Sequence, residues 1–129
     1  MMDLHALVMA ASPLSREAIK SALNRSGLAT FTFTEAGGPE EVRFRFDPEK
    51  TDLVLLEFDK GMVLSTAFRL VGALRLEQKR PLLIVVVGPE RTLEKVELLD
   101  IDHSMVRPIQ PQSVADQIGP LLQTMRAAR

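Results

Sequence analysis

Leu7-Val8-Met9-Ala10-Ala11-Ser12-Pro13-Leu14-Ser15-Arg16-Glu17 passes from an apolar run through a short turn into a segment with helical spacing. Residues 6–9 are apolar at every position, as a strand covered on both faces must be. Ser12 suits a helix cap, and Pro13 fits a first turn because its missing N–H would find no partner there anyway. Beyond it Leu14, Ala18, Ala22 and Leu23 fall on one side of a helix, and Gly27 marks its stop. This is the first half of a βα repeat, and the turn inside it holds two alanines.

The alternation continues along the chain. Ala29-Thr30-Phe31-Thr32-Phe33-Thr34 has period two, which predicts a half-buried strand near a sheet edge. Gly37-Gly38-Pro39 breaks the chain, and residues 39–46 fit either a short helix or a strand alternating at Phe44 and Phe46. Asp52-Leu53-Val54-Leu55-Leu56-Glu57 reads as a third strand. The helix that follows it should bury Leu64, Phe68, Val71 and Leu74 and turn Arg69 and Arg75 outward. Residues 81–87 form the most apolar run and predict a central strand, closed by Gly88-Pro89. A helix over 92–99, a fifth strand over 103–106 and a last helix over 113–125 complete the pattern, with Pro120 expected to bend or break that helix. Five strands and five helices joined by short loops occupy residues 1–129 as a single α/β domain.

Bulk properties narrow the function classes. Sixteen basic and seventeen acidic residues give a net charge of −1, with no field to draw nucleic acid or an anionic membrane. Cysteine is absent, which removes disulfides, thiolate metal sites and thiol redox chemistry. The apolar runs are far shorter than the roughly 20 residues of a membrane span, and the start lacks a signal-peptide pattern, so a soluble cytoplasmic domain is expected.

A doubly wound sheet places its functional surface at the carboxyl ends of its strands. Those ends carry Ala10 and Ala11, Glu57, Val86 (Val87 if the strand slips by one), and Arg107 before Pro108. In order and spacing, from Leu4 to the last helix, the set resembles the receiver domain of two-component response regulators. The resemblance implies a flavodoxin-like (βα)5 fold with sheet order 2-1-3-4-5. It also implies paired acids after the first strand, a phospho-accepting Asp after the third, Thr or Ser after the fourth and Lys-Pro after the fifth. Here each place is altered. Ala10 and Ala11 supply no oxygen for Mg²⁺. Glu57 is one methylene longer than Asp, Val86 has no hydroxyl, and Arg107 keeps a positive charge in a planar fork suited to a carboxylate. Ser104 stands where many receivers carry an aromatic that rotates on activation.

The chain thus resembles an atypical, or pseudo-, receiver, with no cofactor, no metal and no catalysis expected. Glu57 either pairs with Arg107 or stands as a solvated strand-end acid; the sequence leaves both open. Asp59 as a substitute phosphoacceptor is disfavoured, since no acids would organise a metal beside it. His5 and His103 have no partners at metal-ligand spacing and are expected at surface or edge positions. Asp3-Leu4-His5 is similar to the Asp-x-His of cobalamin-binding domains but precedes the first strand instead of following it. A flavin site lacks its glycines and its aromatic sandwich, since there is no Trp or Tyr.

The expected function is signalling by phosphorylation-independent protein–protein interaction, with self-association as one form. By the resemblance, the interaction face would include Val96, Leu99, Ser104, Val114 and Ile118, and the first helix would be a second surface. Two rivals are a working receiver using Glu57 or Asp59, and a small-molecule or nucleotide binder in a pocket that the alanines open.

Overall fold

Five all-apolar or alternating segments pair as one parallel sheet in the computed structural model, which describes residues 2–129. The strands are β1 (Met2–Met9), β2 (Ala29–Ala36), β3 (Leu53–Glu57), β4 (Leu83–Gly88) and β5 (His103–Val106), in the order β2-β1-β3-β4-β5. The helices are α1 (Pro13–Arg25), α2 (Pro39–Arg45), α3 (Leu64–Glu77), α4 (Glu90–Lys95, extended by a 3-10 turn over Val96–Leu98) and α5 (Pro111–Ala127). This is the flavodoxin-like arrangement expected from the sequence.

The sheet is covered on both faces, which is why β4 and β3 up to Leu56 are apolar. Leu53, Leu55, Val85 and Val87 pack against Ile19 and Leu23 of α1 and Val114, Ile118 and Leu122 of α5. Val54, Leu56, Ile84 and Val86 pack against Val42 of α2 and Leu70, Val71 and Leu74 of α3. Ser12 caps α1 as expected, its hydroxyl accepting from the amides of Leu14 and Ser15. Gly27 takes a φ of +76°, the left-handed conformation that glycine enters without steric cost.

Several expectations are corrected. The α3 stripe is Ala67, Leu70, Val71 and Leu74, so Phe68 is 47% exposed and Leu64 only half-buried. Arg75 does not point outward: its guanidinium folds back onto the carbonyls of Leu82 and Asp100 and the carboxylate of Asp102. Leu14 sits on the solvent side of α1, whose buried residues are Ile19, Ala22 and Leu23. The α5 helix runs unbroken through Pro120, which lies on its exposed side. On that side solvent can satisfy the carbonyl that loses its donor to the proline ring, which limits the cost.

The proposed partner face is also corrected. Val96 and Leu99 are buried beneath the sheet face shared with α3, and Val114 and Ile118 beneath the opposite one. Each is core, because the apolar side of an amphipathic helix turns toward the sheet it covers. Ser104 is half-buried on β5. What the α4–β5 region exposes instead is Leu98 and Val106.

Candidate functional site

The carboxyl edge of the sheet is held together by backbone bonds that continue past the last strand residues. The Ala10 amide donates to the Ala36 carbonyl, that of Phe58 to Val87, and that of Arg107 to Gly88. Gly88 makes the middle of this edge possible, since a Cβ there would lie 2.5 Å from the Phe58 carbonyl oxygen. β4 and the segment after Glu57 therefore meet backbone to backbone, which aims Glu57 and Arg107 at each other.

They form an ion pair. Arg107 Nη1 donates to Glu57 Oε1 at 2.8 Å, with the Glu57 side chain 10% exposed and that of Arg107 39%. With one partner open to solvent, the pair contributes at most about 1 kcal/mol. The other oxygen, Glu57 Oε2, is buried without a hydrogen-bond partner, an arrangement that costs about 1–3 kcal/mol.

The surroundings are apolar where a phosphoryl site would be polar. Ala10 is wholly buried beside β3, and exposed Ala11 lines a cavity of about 370 Å³ together with Ser12, Met62 and Glu57. Val87, not Val86, is the neighbour of Glu57: the two are register partners and share a face of the sheet. Val86 packs into the opposite layer with Leu56, so the one-residue slip is the arrangement found. Val87 joins Pro108, Ile109 and Ile19 around a second cavity of about 300 Å³ that also reaches Glu57 and Arg107. Asp59 is exposed on the loop, its carboxylate accepting from the Gly61 amide and its carbonyl from the Thr92 hydroxyl. Among the described residues no three His, Asp or Glu are grouped to hold a metal.

Arg16 was not singled out by the sequence reading. Its Nη1 donates to the Ala10 carbonyl at 2.7 Å, while its Nε bonds Glu35 at 3.2 Å. A resident cation thus sits at the end of β1, close to where the paired acids of a receiver would gather a metal. Lys20 shares Glu35, and this hydrogen-bonded contact holds the Glu35 carboxyl below its usual pKa. An arginine one turn into a helix that follows a strand is the only sequence signal for it.

The two histidines part company. His103 on β5 bonds Gln117 at 2.6 Å and stays partly exposed. His5, expected at a surface or edge position, is buried, because β1 begins at Met2 and carries it inside the sheet. Its Nδ1 lies 2.7 Å from the Thr32 hydroxyl and its Nε2 2.8 Å from that of Thr34. Burial, and then the Lys50 ammonium, push its pKa below the usual imidazole value.

A second set of charges, also missed, lies at the opposite edge. Asp52 accepts from the His5 amide at 2.7 Å, from Arg80 at 3.2 Å and from Arg129. Asp102 accepts from the Ile84 amide at 2.7 Å and from Arg75 at 2.8 Å. In both places the aspartate amide donates to the carbonyl of the same residue whose amide it caps. An acid directly before the first residue of a strand was the available signal.

No protein-family model matches this sequence, and neither does any curated protein. Solved structures do. A response regulator receiver domain from Clostridium thermocellum is 13% identical, aligning 98% of this chain with 99% of its own at a TM-score of 0.76. The receiver domain of AraT, a response regulator from Geobacillus stearothermophilus, is 14% identical over 96% of each chain, with a TM-score of 0.75. A pilus assembly protein, CpaE2 from Sinorhizobium meliloti, is 20% identical over 89% of this chain and 97% of its own, with a TM-score of 0.63. At such identities the likeness is one of architecture: the chain has the receiver-domain fold.

Proposed function

We propose that this protein is a receiver-like signalling module of the cytoplasm that acts by protein–protein interaction without phosphorylation or catalysis. The observation that carries the reading is the Glu57–Arg107 pair set among Ala10, Ala11 and Val87. A phosphoryl group needs a metal to gather its charge and a hydroxyl to bond its oxygens, and these side chains supply neither. The positions that would respond to phosphorylation are instead closed by a contact built into the chain. Its partner is a protein, with a second copy of the chain as one form, and contact is made through exposed side chains such as Leu98 and Val106. The likeness to a pilus assembly protein supports a module that docks within a larger assembly.

An amide NMR titration tests this, first with Mg²⁺ and then with beryllofluoride, a phosphoryl mimic. The resonances of Ala10, Glu57 and Arg107 should stay in place throughout. Saturable shifts confined to those residues would overturn the reading and make the chain a working receiver that uses Glu57 or Asp59.

A further inference from the structure

Glu57 is the one carboxylate at the carboxyl edge that is both nearly buried and half satisfied. Its side chain is 10% exposed, Oε1 is taken by Arg107, and Oε2 has no partner. Buried polar atoms are almost always bonded, so Oε2 is where an arriving donor would gain most. Glu57 and Arg107 line both cavities at this edge, so turning Arg107 aside opens space next to the carboxylate. The cavity of about 300 Å³ is otherwise apolar apart from Ser15, with Ala18, Ile19, Val87 and Ile109 in its wall. The charged residues around the apolar cavity are Glu57 and Arg107, so once the Arg107 guanidinium turns out to solvent the slot keeps one uncompensated carboxylate, which calls for a ligand bearing one positive charge.

We propose that this edge binds a small primary amine with a short aliphatic body. The ammonium takes the place of Arg107 on Oε1 and supplies the donor that Oε2 lacks, and the aliphatic body fills the slot against Ile19, Val87 and Ile109. Three N–H donors on one compact charge serve both oxygens. Arg107, already 39% exposed, swings into water at little cost. A metal ion would be a poor occupant, because the apolar wall offers it no oxygen ligands. Amine binding depends on the slot and on Glu57, whatever protein the module meets and whether or not Mg²⁺ moves its resonances.

The test is an amide NMR titration of the full chain with isobutylamine, alongside isobutanol and isobutyrate as neutral and anionic counterparts. Isobutylamine should give saturable shifts at Glu57, Val87 and Ile109, with a Kd on the order of 1 mM for so small a ligand. The alcohol and the acid should bind about tenfold more weakly or worse. In Glu57→Gln the amine response should fall to that of the alcohol while the rest of the spectrum keeps its dispersion. No saturation by the amine, equal binding of the alcohol, or full amine binding by a folded Glu57→Gln would each overturn the proposal.

Discussion

The two edges of the sheet treat a strand-end carboxylate in opposite ways. At the amino edge Asp52 has a backbone amide and two arginines as donors, and Asp102 repeats the arrangement with the Ile84 amide and Arg75. At the carboxyl edge Glu57 has a single partner, and its second oxygen has none. The aspartates close the open ends of parallel strand pairs, where a ladder would otherwise leave an amide bare. Glu57 closes nothing that the backbone does not already close through Phe58, Gly88 and Arg107. One edge is built for stability, and the other keeps an incompletely satisfied group at a cavity.

The sharpest way to break this comparison is Asp52→Ala. It strands the buried His5 amide and leaves two arginines without their carboxylate, and it should cost about 3 kcal/mol. Urea unfolding followed by far-UV circular dichroism reads this, since the chain has no Trp or Tyr for fluorescence. A loss below about 1 kcal/mol would mean that the amino-edge network is no more than surface pairing. Gly88→Ala comes next. Its Cβ would press on the Phe58 carbonyl at 2.5 Å, and displacing that segment should cost about 1–3 kcal/mol. It should also move the amide resonances of Glu57 and Arg107; an unchanged spectrum would show that this close approach does not position the pair.

Glu57→Met sharpens the contrast from the other side. It removes the unpaired oxygen, fills similar space, and leaves Arg107 free to reach water. Its urea midpoint should stay put or rise by about 1 kcal/mol in stability. A loss approaching that of Asp52→Ala would erase the distinction between the edges.

How much of this was legible depends on how far each feature reaches along the chain. The central strands announced themselves because both-sided burial writes an unbroken apolar run, as in residues 82–87, and β2 announced itself through its period of two. Glu57 and Arg107 were legible as strand-end residues and as candidate partners, although the sequence left their pairing across fifty positions open. The neighbour of Glu57 turned on a single residue of register, and a strand apolar at Val85, Val86 and Val87 carries no alternation to fix it. The amino-edge network was hidden because Arg129 meets Asp52 from 77 residues away. Arg75 was misread because a long side chain near a helix end can reach past it to neighbouring loops, where its guanidinium bonds the carbonyls of Leu82 and Asp100. The partner face failed for a different reason: Val96, Leu99, Val114 and Ile118 were assigned through family resemblance, whereas their apolar character already fitted the core.

The smallest effect concerns His5, whose amide serves the Asp52 network while its ring meets the hydroxyls of Thr32 and Thr34. Burial and Lys50 lower its pKa, and the nearby Asp52 and Asp47 only partly oppose them. The folded state therefore binds a proton less readily than the unfolded chain. Well above pH 6.5 both states hold a neutral ring and the group contributes no slope. As pH falls below 6.5 the unfolded chain takes up the proton first, so stability declines until the folded pKa is passed. Glu35 has its pKa lowered from 4.5, so its own loss begins further down, which leaves the interval between as the window of His5. Urea midpoints between pH 7 and pH 5 should fall for the wild type and stay flatter in His5→Gln, whose amide can still bond a threonine hydroxyl. Equal slopes in the two proteins would place the titration elsewhere and reduce His5 to a packing residue of the β1–β2 pair.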